Sequence, residues 1–279
     1  MTDIRRELSA TEVQNFKSRA LELAAEARRI IKTALASGFD VKRKPDGSFV
    51  TSVDLRVEER LRELIRTRFP AHGVIGEERP PSNPGADFQW IIDPVDGTED
   101  LVHRVPVFGT IIGLHYHGQP IVGVIDIPML DICVSGAFGL GAFQNNERIL
   151  LGDLPSALPG EGARIMLGAR ANFTRYGDDG RLFDAVTRAY PNHRIYRSCY
   201  AHACAVTGAA DATVDYGNRI WDLAASRILV EEAGGKYVVI QDADIPGTGR
   251  VYGAVFGKPA LVDRLAALLR RLKAGETAE

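Results

Sequence analysis

The sequence predicts a mixed α/β protein in two parts, an antiparallel α+β part over residues 1–155 and an α/β part over residues 156–279. Three observations predict it. Two amphipathic helical patterns open the chain. A meander of apolar strands separated by glycine turns fills its middle, and short strands alternate with helical patterns after about residue 155. The join falls in the Pro- and Gly-bearing stretch 154–160, and neither an internal repeat nor a low-complexity tract interrupts the chain.

Residues 11–37 read as the first helix, with Val13, Phe16, Ala20, Leu23, Ala27, Ile30 and Ala34 recurring at three- and four-residue steps. Ser9 and Glu12 have capping-box spacing, and Gly38 is placed to end the helix. Residues 42–48 read as a loop turning at Pro45-Asp46-Gly47. Phe49-Val50-Thr51 then leads through Ser52-Val53-Asp54 into a second helix, which Pro70 stops. Val74-Ile75-Gly76 is a short strand running into Glu77 and Glu78, and residues 80–85 are a surface loop. Residues 108–117 and 121–127 form a hairpin about Gly118-Gln119-Pro120, and 131–138 and 141–143 continue the meander. Gly136, Gly139 and Gly141 lack the strand–loop–helix setting of a nucleotide loop and read as turn glycines. His115 and His117 lack partners at ligand spacing and read as cross-strand packing. In the second part, helices are expected at 181–190, 200–208, 222–233 and 259–273. Strands are expected at 164–168, 194–197, 212–216, 236–240 and 251–256.

Composition excludes several functions. Acids and bases nearly balance at a net charge of −2, so no basic surface argues for nucleic acid. No apolar run approaches the ~20 residues that span a bilayer, so no membrane partner is expected. Met1 to Arg6 lacks the apolar core of a signal peptide, and Cys133, Cys199 and Cys204 have neither zinc nor disulfide spacing. These features fit a cytoplasmic enzyme with reduced thiols.

The stretch from Trp90 to Asp100 carries the chemistry. Trp90-Ile91-Ile92 is a buried strand, and Asp93 and Asp96 stand either side of Pro94, which is expected to stop further pairing. Gly97-Thr98 opens a helix start whose free N–H groups suit an anion. Asp, Pro and Gly are also ordinary turn residues, so on this segment alone a turn and a metal–phosphate site fit equally. Asp54, Glu77 and Asp222 tip the balance, because each also sits at a strand end or helix start, where α/β folds gather sites. Five carboxylates in one cleft repel unless cations join them, and an all-oxygen set favours Mg²⁺ or Mn²⁺ over zinc.

Four segments in order, Val50-Thr51-Ser52-Val53-Asp54, Gly76-Glu77-Glu78, Asp93-Pro94-Val95-Asp96-Gly97-Thr98 and Trp221-Asp222-Leu223-Ala224-Ala225, closely resemble the signatures of the inositol monophosphatase superfamily. The resemblance spans nearly the whole chain. It implies a layered αβαβα sandwich and a Mg²⁺-dependent, Li⁺-sensitive phosphatase, usually a homodimer, acting on a small phosphorylated metabolite. By the same resemblance Glu77, Asp93, the Val95 carbonyl, Asp96 and Asp222 hold two or three Mg²⁺ ions, with Mn²⁺ as a substitute. Thr98, Asp54 and Glu77 are then catalytic, with Thr98 bonded to Asp54 to orient the attacking water. Gly97, Thr98, Asp215 and Ser198 contact substrate, and Lys44 approximates a lysine on the family's mobile loop. Residues 106–128 and Cys199-Tyr200-Ala201 look most like the histidinol-phosphate phosphatase branch, whereas Arg197-Ser198 looks like the inositol phosphatases. Glu99 and Asp100 depart from both, and their charge suits a cationic substrate such as histidinol phosphate. The alternatives are inositol monophosphate, adenosine 3′,5′-bisphosphate, or a non-catalytic metal-binding protein.

Overall fold

The computed structural model describes residues 3–152, 162–176 and 180–274. The expected join at 154–160 lies outside them. Ser9 caps the first helix, α1 (Ala10–Ser37), with its side chain accepting the Glu12 N–H while Glu12 reaches back to Ser9 N–H. The stretch expected as a loop is instead the turn of a small antiparallel hairpin, β1 (Val41–Arg43) and β2 (Phe49–Thr51). Asp46 closes that turn by accepting from Ser48, and the cations at its base sit on strand positions. Helix α2 (Ser52–Arg68) follows, with Thr51 as N-cap and Asp54 at the third helical position completing a second capping box.

A seven-stranded sheet comes next, in the order β3 (Gly73–Gly76), β4 (Phe88–Asp96), β5 (Gly109–Tyr116), β6 (Gln119–Ile127), β7 (Ile132–Ala137), β8 (Gly141–Gln144), β9 (Glu147–Ile149). Between β4 and β5 lies the short helix α3 (Thr98–His103). The β3–β4 pair is parallel and the rest of this sheet antiparallel. Pro94 does not end β4. The strand runs on to Asp96 through a register shift between Asp93 and Asp96. A bulge tolerates the missing proline donor, and the Thr110 hydroxyl pins it by donating to the Pro94 carbonyl at 2.9 Å.

The second sheet is five-stranded, in the order β11 (His193–Ile195), β10 (Ile165–Leu167), β12 (Ala212–Asn218), β14 (Gly249–Gly257), β13 (Lys236–Ile245). Around it lie α4 (Arg170–Tyr176), α5 (Arg181–Ala189), α6 (Ser198–Thr207), α7 (Ser226–Glu232) and α8 (Pro259–Lys273). Helix α4 and strand β9 have no counterpart in the sequence expectation, being only seven and three residues long.

The layers follow from which side chains share a core. Trp90 and Ile92 pack with α1 and α2, whereas Ile91, between them, packs with α6 and α7. Both faces of β4 are therefore covered, which is why it reads as an unbroken apolar run. The far face of the second sheet buries Leu182, Val186, Leu261 and Leu265. The stack is α1/α2, seven strands, α6/α7, five strands, α4/α5/α8, the expected αβαβα sandwich. At the central helix layer a Cβ on Gly113 would lie 2.4 Å from the Ala224 carbonyl oxygen, so only glycine lets the 221–225 turn approach.

Candidate active site

The acids arrive from both sheets. Asp54 is fully buried; its Oδ2 accepts the Thr51 N–H at 2.8 Å and the Thr51 hydroxyl, and its Oδ1 lies 3.0 Å from Thr98 Oγ1. Thr98 Oγ1 lies equally 3.0 Å from the Val95 carbonyl oxygen, so one hydroxyl spans the carboxylate and the bulge. Burial raises the Asp54 pKa against the bonds from Thr51 and Thr98. Gly97, at φ +84°, is the N-cap of α3, and a side chain there would crowd Asp100 and Phe108.

Asp93, Asp96 and Asp222 converge so that one carboxylate oxygen from each lies within 4.8 Å of the others. Asp93 is 1% exposed, and its Oδ1 has no hydrogen-bond partner. Burial first, then the charges of Glu77, Asp96, Asp222 and Asp54, push its pKa well up. Burial and the Asp222 charge likewise push Asp96 up to about 7, although the Cys199 N–H at the start of α6 donates to it. Asp222 was expected to open a helix. It lies instead in the turn before α7, because its side chain folds back to accept the Arg219 N–H at 2.7 Å and closes that turn.

Glu77 stands beside this set, its pKa pushed up to about 8 by burial despite Lys44, whose Nζ lies 2.7 Å from Glu77 and 2.7 Å from Glu78. Glu58, absent from the sequence reading, accepts the Glu78 N–H at 2.7 Å and the Arg62 guanidinium at 2.8 Å, and would collide with any side chain at Gly76. The Glu58/Arg62 spacing of four residues on one helix was the available signal. The Cys199 N–H was also missed, since a backbone donor leaves no pattern, and Arg197 was noted only beside Ser198 as a likeness to the inositol phosphatases.

A cavity of about 490 Å³ opens onto Glu77, Asp96, Gly97, Thr98, Arg197 and Ser198, with Glu99 and Asp100 on its wall. Buried Ser198, at φ +74°, has a hydroxyl without a partner. Three of the four expected substrate contacts thus line the cavity. Asp215 does not: it is 1% exposed, with Oδ2 facing His202 at 3.1 Å and Oδ1 accepting the Tyr216 N–H at 2.9 Å.

The carboxylates fit a hard divalent cation. A buried acid oxygen with no donor, inside a set of mutually repelling acids, is satisfied either by a proton or by a cation, and three converging carboxylates suit a hard divalent one.

Comparison with known proteins places the same residues in context. The sequence pattern of the inositol monophosphatase family matches residues 12–274. A histidinol-phosphatase of Mycobacterium tuberculosis is 32% identical over 262 residues, 92% of this chain and 97% of that protein. Inositol monophosphatase 2 of Rattus norvegicus is 34% identical over 230 residues, 77% of each. The solved inositol monophosphatase of Anabaena superposes with a TM-score of 0.77 at 28% identity, covering 93% of this chain and 97% of that one.

Proposed function

This chain belongs to the inositol monophosphatase family, and we propose that it hydrolyses histidinol phosphate in the cavity bounded by Glu77, Asp96 and Thr98. At the level its family and relatives share, it is a phosphomonoester hydrolase of a metal-dependent kind. The observation that carries the reading is the unpartnered Asp93 Oδ1 among Asp96, Asp222 and Glu77.

Glu77, Asp93, the Val95 carbonyl, Asp96 and Asp222 would hold Mg²⁺, two or three ions per site with Mn²⁺ as a substitute, which when bound supplies charge to the phosphate and acidifies water. Thr98 Oγ1 orients the attacking water and takes its proton while passing its own to Asp54 Oδ1. Thr51 fixes Asp54 for that transfer, and burial makes Asp54 a stronger base than an exposed aspartate. The Gly97 and Thr98 N–H groups, which precede any intrahelical acceptor, bind the phosphate oxygens.

Glu99 and Asp100 give the cavity wall negative charge beyond the metal ligands, which favours an ammonium or imidazolium on the substrate. Arg197 and Ser198 support inositol monophosphate as the second reading. We assign the enzyme to the cytoplasm as a homodimer, on its scattered free cysteines and the family's usual state. Among the described residues no helix is long and apolar enough to cross a membrane. Phosphate release should be measured with Mg²⁺ across histidinol phosphate, inositol phosphates, adenosine 3′,5′-bisphosphate and fructose 1,6-bisphosphate. Histidinol phosphate is expected to turn over fastest, and faster release from an inositol phosphate would reverse the assignment.

A further inference from the structure

Behind the cavity runs a buried chain of three polar side chains. Ser226 Oγ lies 3.0 Å from His202 Nδ1, and His202 Nε2 lies 3.1 Å from Asp215 Oδ2. Ser226 and His202 are 0% exposed and Asp215 is 1% exposed. The His202 ring also stands edge-on to Phe256, with centroids 5.2 Å apart. The order of groups resembles a nucleophile, base and acid, yet the serine is 0% exposed. No substrate reaches a fully buried hydroxyl, so the chain does not act by attack.

What the chain does is join. Each member belongs to a different element that supplies the site. Ser226 opens α7, four residues after Asp222. His202 lies on α6, whose first turn gives the Cys199 N–H to Asp96. Asp215 lies on β12, and its charge acts on Arg197 in the cavity wall. Desolvation lowers the Arg197 pKa, and the charges of Asp215, Asp222 and Asp96 more than offset that. Arg197 lines the same cavity as Asp96, and Asp215 is one of the acids whose charge it feels. Both ring nitrogens of His202 are engaged, and removing either partner leaves a buried polar group unpaired.

We propose that His202 is a positioning residue of the phosphatase site. Its Nδ1 side fixes the Asp222 turn through Ser226, and its Nε2 side fixes Asp215 and, through its charge, Arg197. Nδ1 thus serves cation binding and Nε2 serves the substrate. The proposal rests on the phosphatase reading above.

Two conservative variants separate the halves. An asparagine amide reaches about as far as Nδ1 and a glutamine amide about as far as Nε2, so each retains one of the two bonds. In His202→Asn, KM for the best alcohol phosphate should rise about tenfold. Its calorimetric Mg²⁺ dissociation constant should stay within about twofold of wild type. In His202→Gln the Mg²⁺ dissociation constant should rise about tenfold, with KM at saturating Mg²⁺ unchanged. Asp215→Asn should copy the first variant and Ser226→Ala the second, and this pair carries the same comparison if the His202 variants fail to fold. The proposal is overturned if the folded variants lose only thermal stability, or if both sides of the ring change both constants alike. A wild-type protein without Mg²⁺-dependent phosphate release would defeat the phosphatase reading instead, and the Mg²⁺ dissociation constants would still decide the Nδ1 half.

Discussion

Two groups of acids lie side by side in this protein, and they are neutralised in opposite ways. Glu58, Glu77 and Glu78 bring their own cations: Arg62 on Glu58, and Lys44 shared by Glu77 and Glu78. Asp93, Asp96 and Asp222 have no lysine or arginine within ion-pair distance among the described residues. Two of them take one backbone N–H each, and Asp93 Oδ1 has no partner at all. Buried charges are ordinarily paired, so in the first group Glu58 with Arg62 holds the chain in shape, while Lys44 ties Glu77, a proposed metal ligand, to Glu78. The second is stable only as protonated acids or around an added cation. The difference marks the acids that lack a cation of the chain's own more sharply than burial does, because each group runs from fully buried (Glu58, Asp93) to half-buried (Glu77, Glu78, Asp96, Asp222).

The most severe break is Asp93→Asn. It should lower phosphate release by about a thousandfold or more, as loss of a shared metal ligand does. In chelator the same variant should melt higher than wild type, because it removes a buried acid whose ionisation burial and its neighbours oppose; a lower melting temperature would mean that Asp93 is structural. Next comes Asp54→Asn. This should lower kcat by about a hundredfold with Mg²⁺ affinity unchanged, and calorimetric loss of Mg²⁺ binding would contradict its assignment to the proton path. Asp215→Ala should follow, raising KM for the natural substrate about tenfold while leaving p-nitrophenyl phosphate turnover within about twofold. Equal losses on both substrates would remove Asp215 from substrate recognition.

The compensated group responds differently. Lys44→Met should cost about 2 kcal/mol of stability in denaturant unfolding, since it leaves two acids unpaired; an unchanged midpoint would show that Glu77 and Glu78 need no cation from the chain. The smallest effect is on pH. Asp96 and Glu77 are pushed up to about 7 and about 8 in the folded chain, against about 4 when unfolded. The folded state therefore keeps protons that the unfolded state has lost, and in chelator the melting temperature should fall as pH rises from about 5 to about 8. Saturating Mg²⁺ should flatten that slope, and a slope of the same size with and without the cation would break the link between these acids and metal.

Much of this was legible in the sequence. Ser9 and Glu12 marked the start of α1, and the apolar run before Asp93 marked a strand covered on both faces. The four signature segments identified the family, which the match over residues 12–274 bears out. What escaped was whatever depends on partners distant in sequence. A lysine in a charged turn does not announce that it will bridge Glu77 and Glu78, 33 and 34 residues on. Pro94 looked like a strand terminator because periodicity cannot see a bulge held open by the Thr110 hydroxyl. Asp222 looked like a helix cap because a side chain that closes the preceding turn has the same spacing as one that opens the next helix. His202, one polar residue on a helix of small and apolar neighbours, gave no pattern at all.

The central claim is that Asp93, Asp96 and Asp222 are a cation site whose acids burial, helped by neighbouring acidic charge, holds against ionisation, so that an entering metal displaces protons. Calorimetric titration of Mg²⁺ into the wild-type protein at about pH 7, repeated in buffers of different ionisation enthalpy, tests it directly. The account predicts saturable binding with net release of protons to the buffer, abolished in Asp93→Asn. Binding without proton release, or no binding, would contradict it.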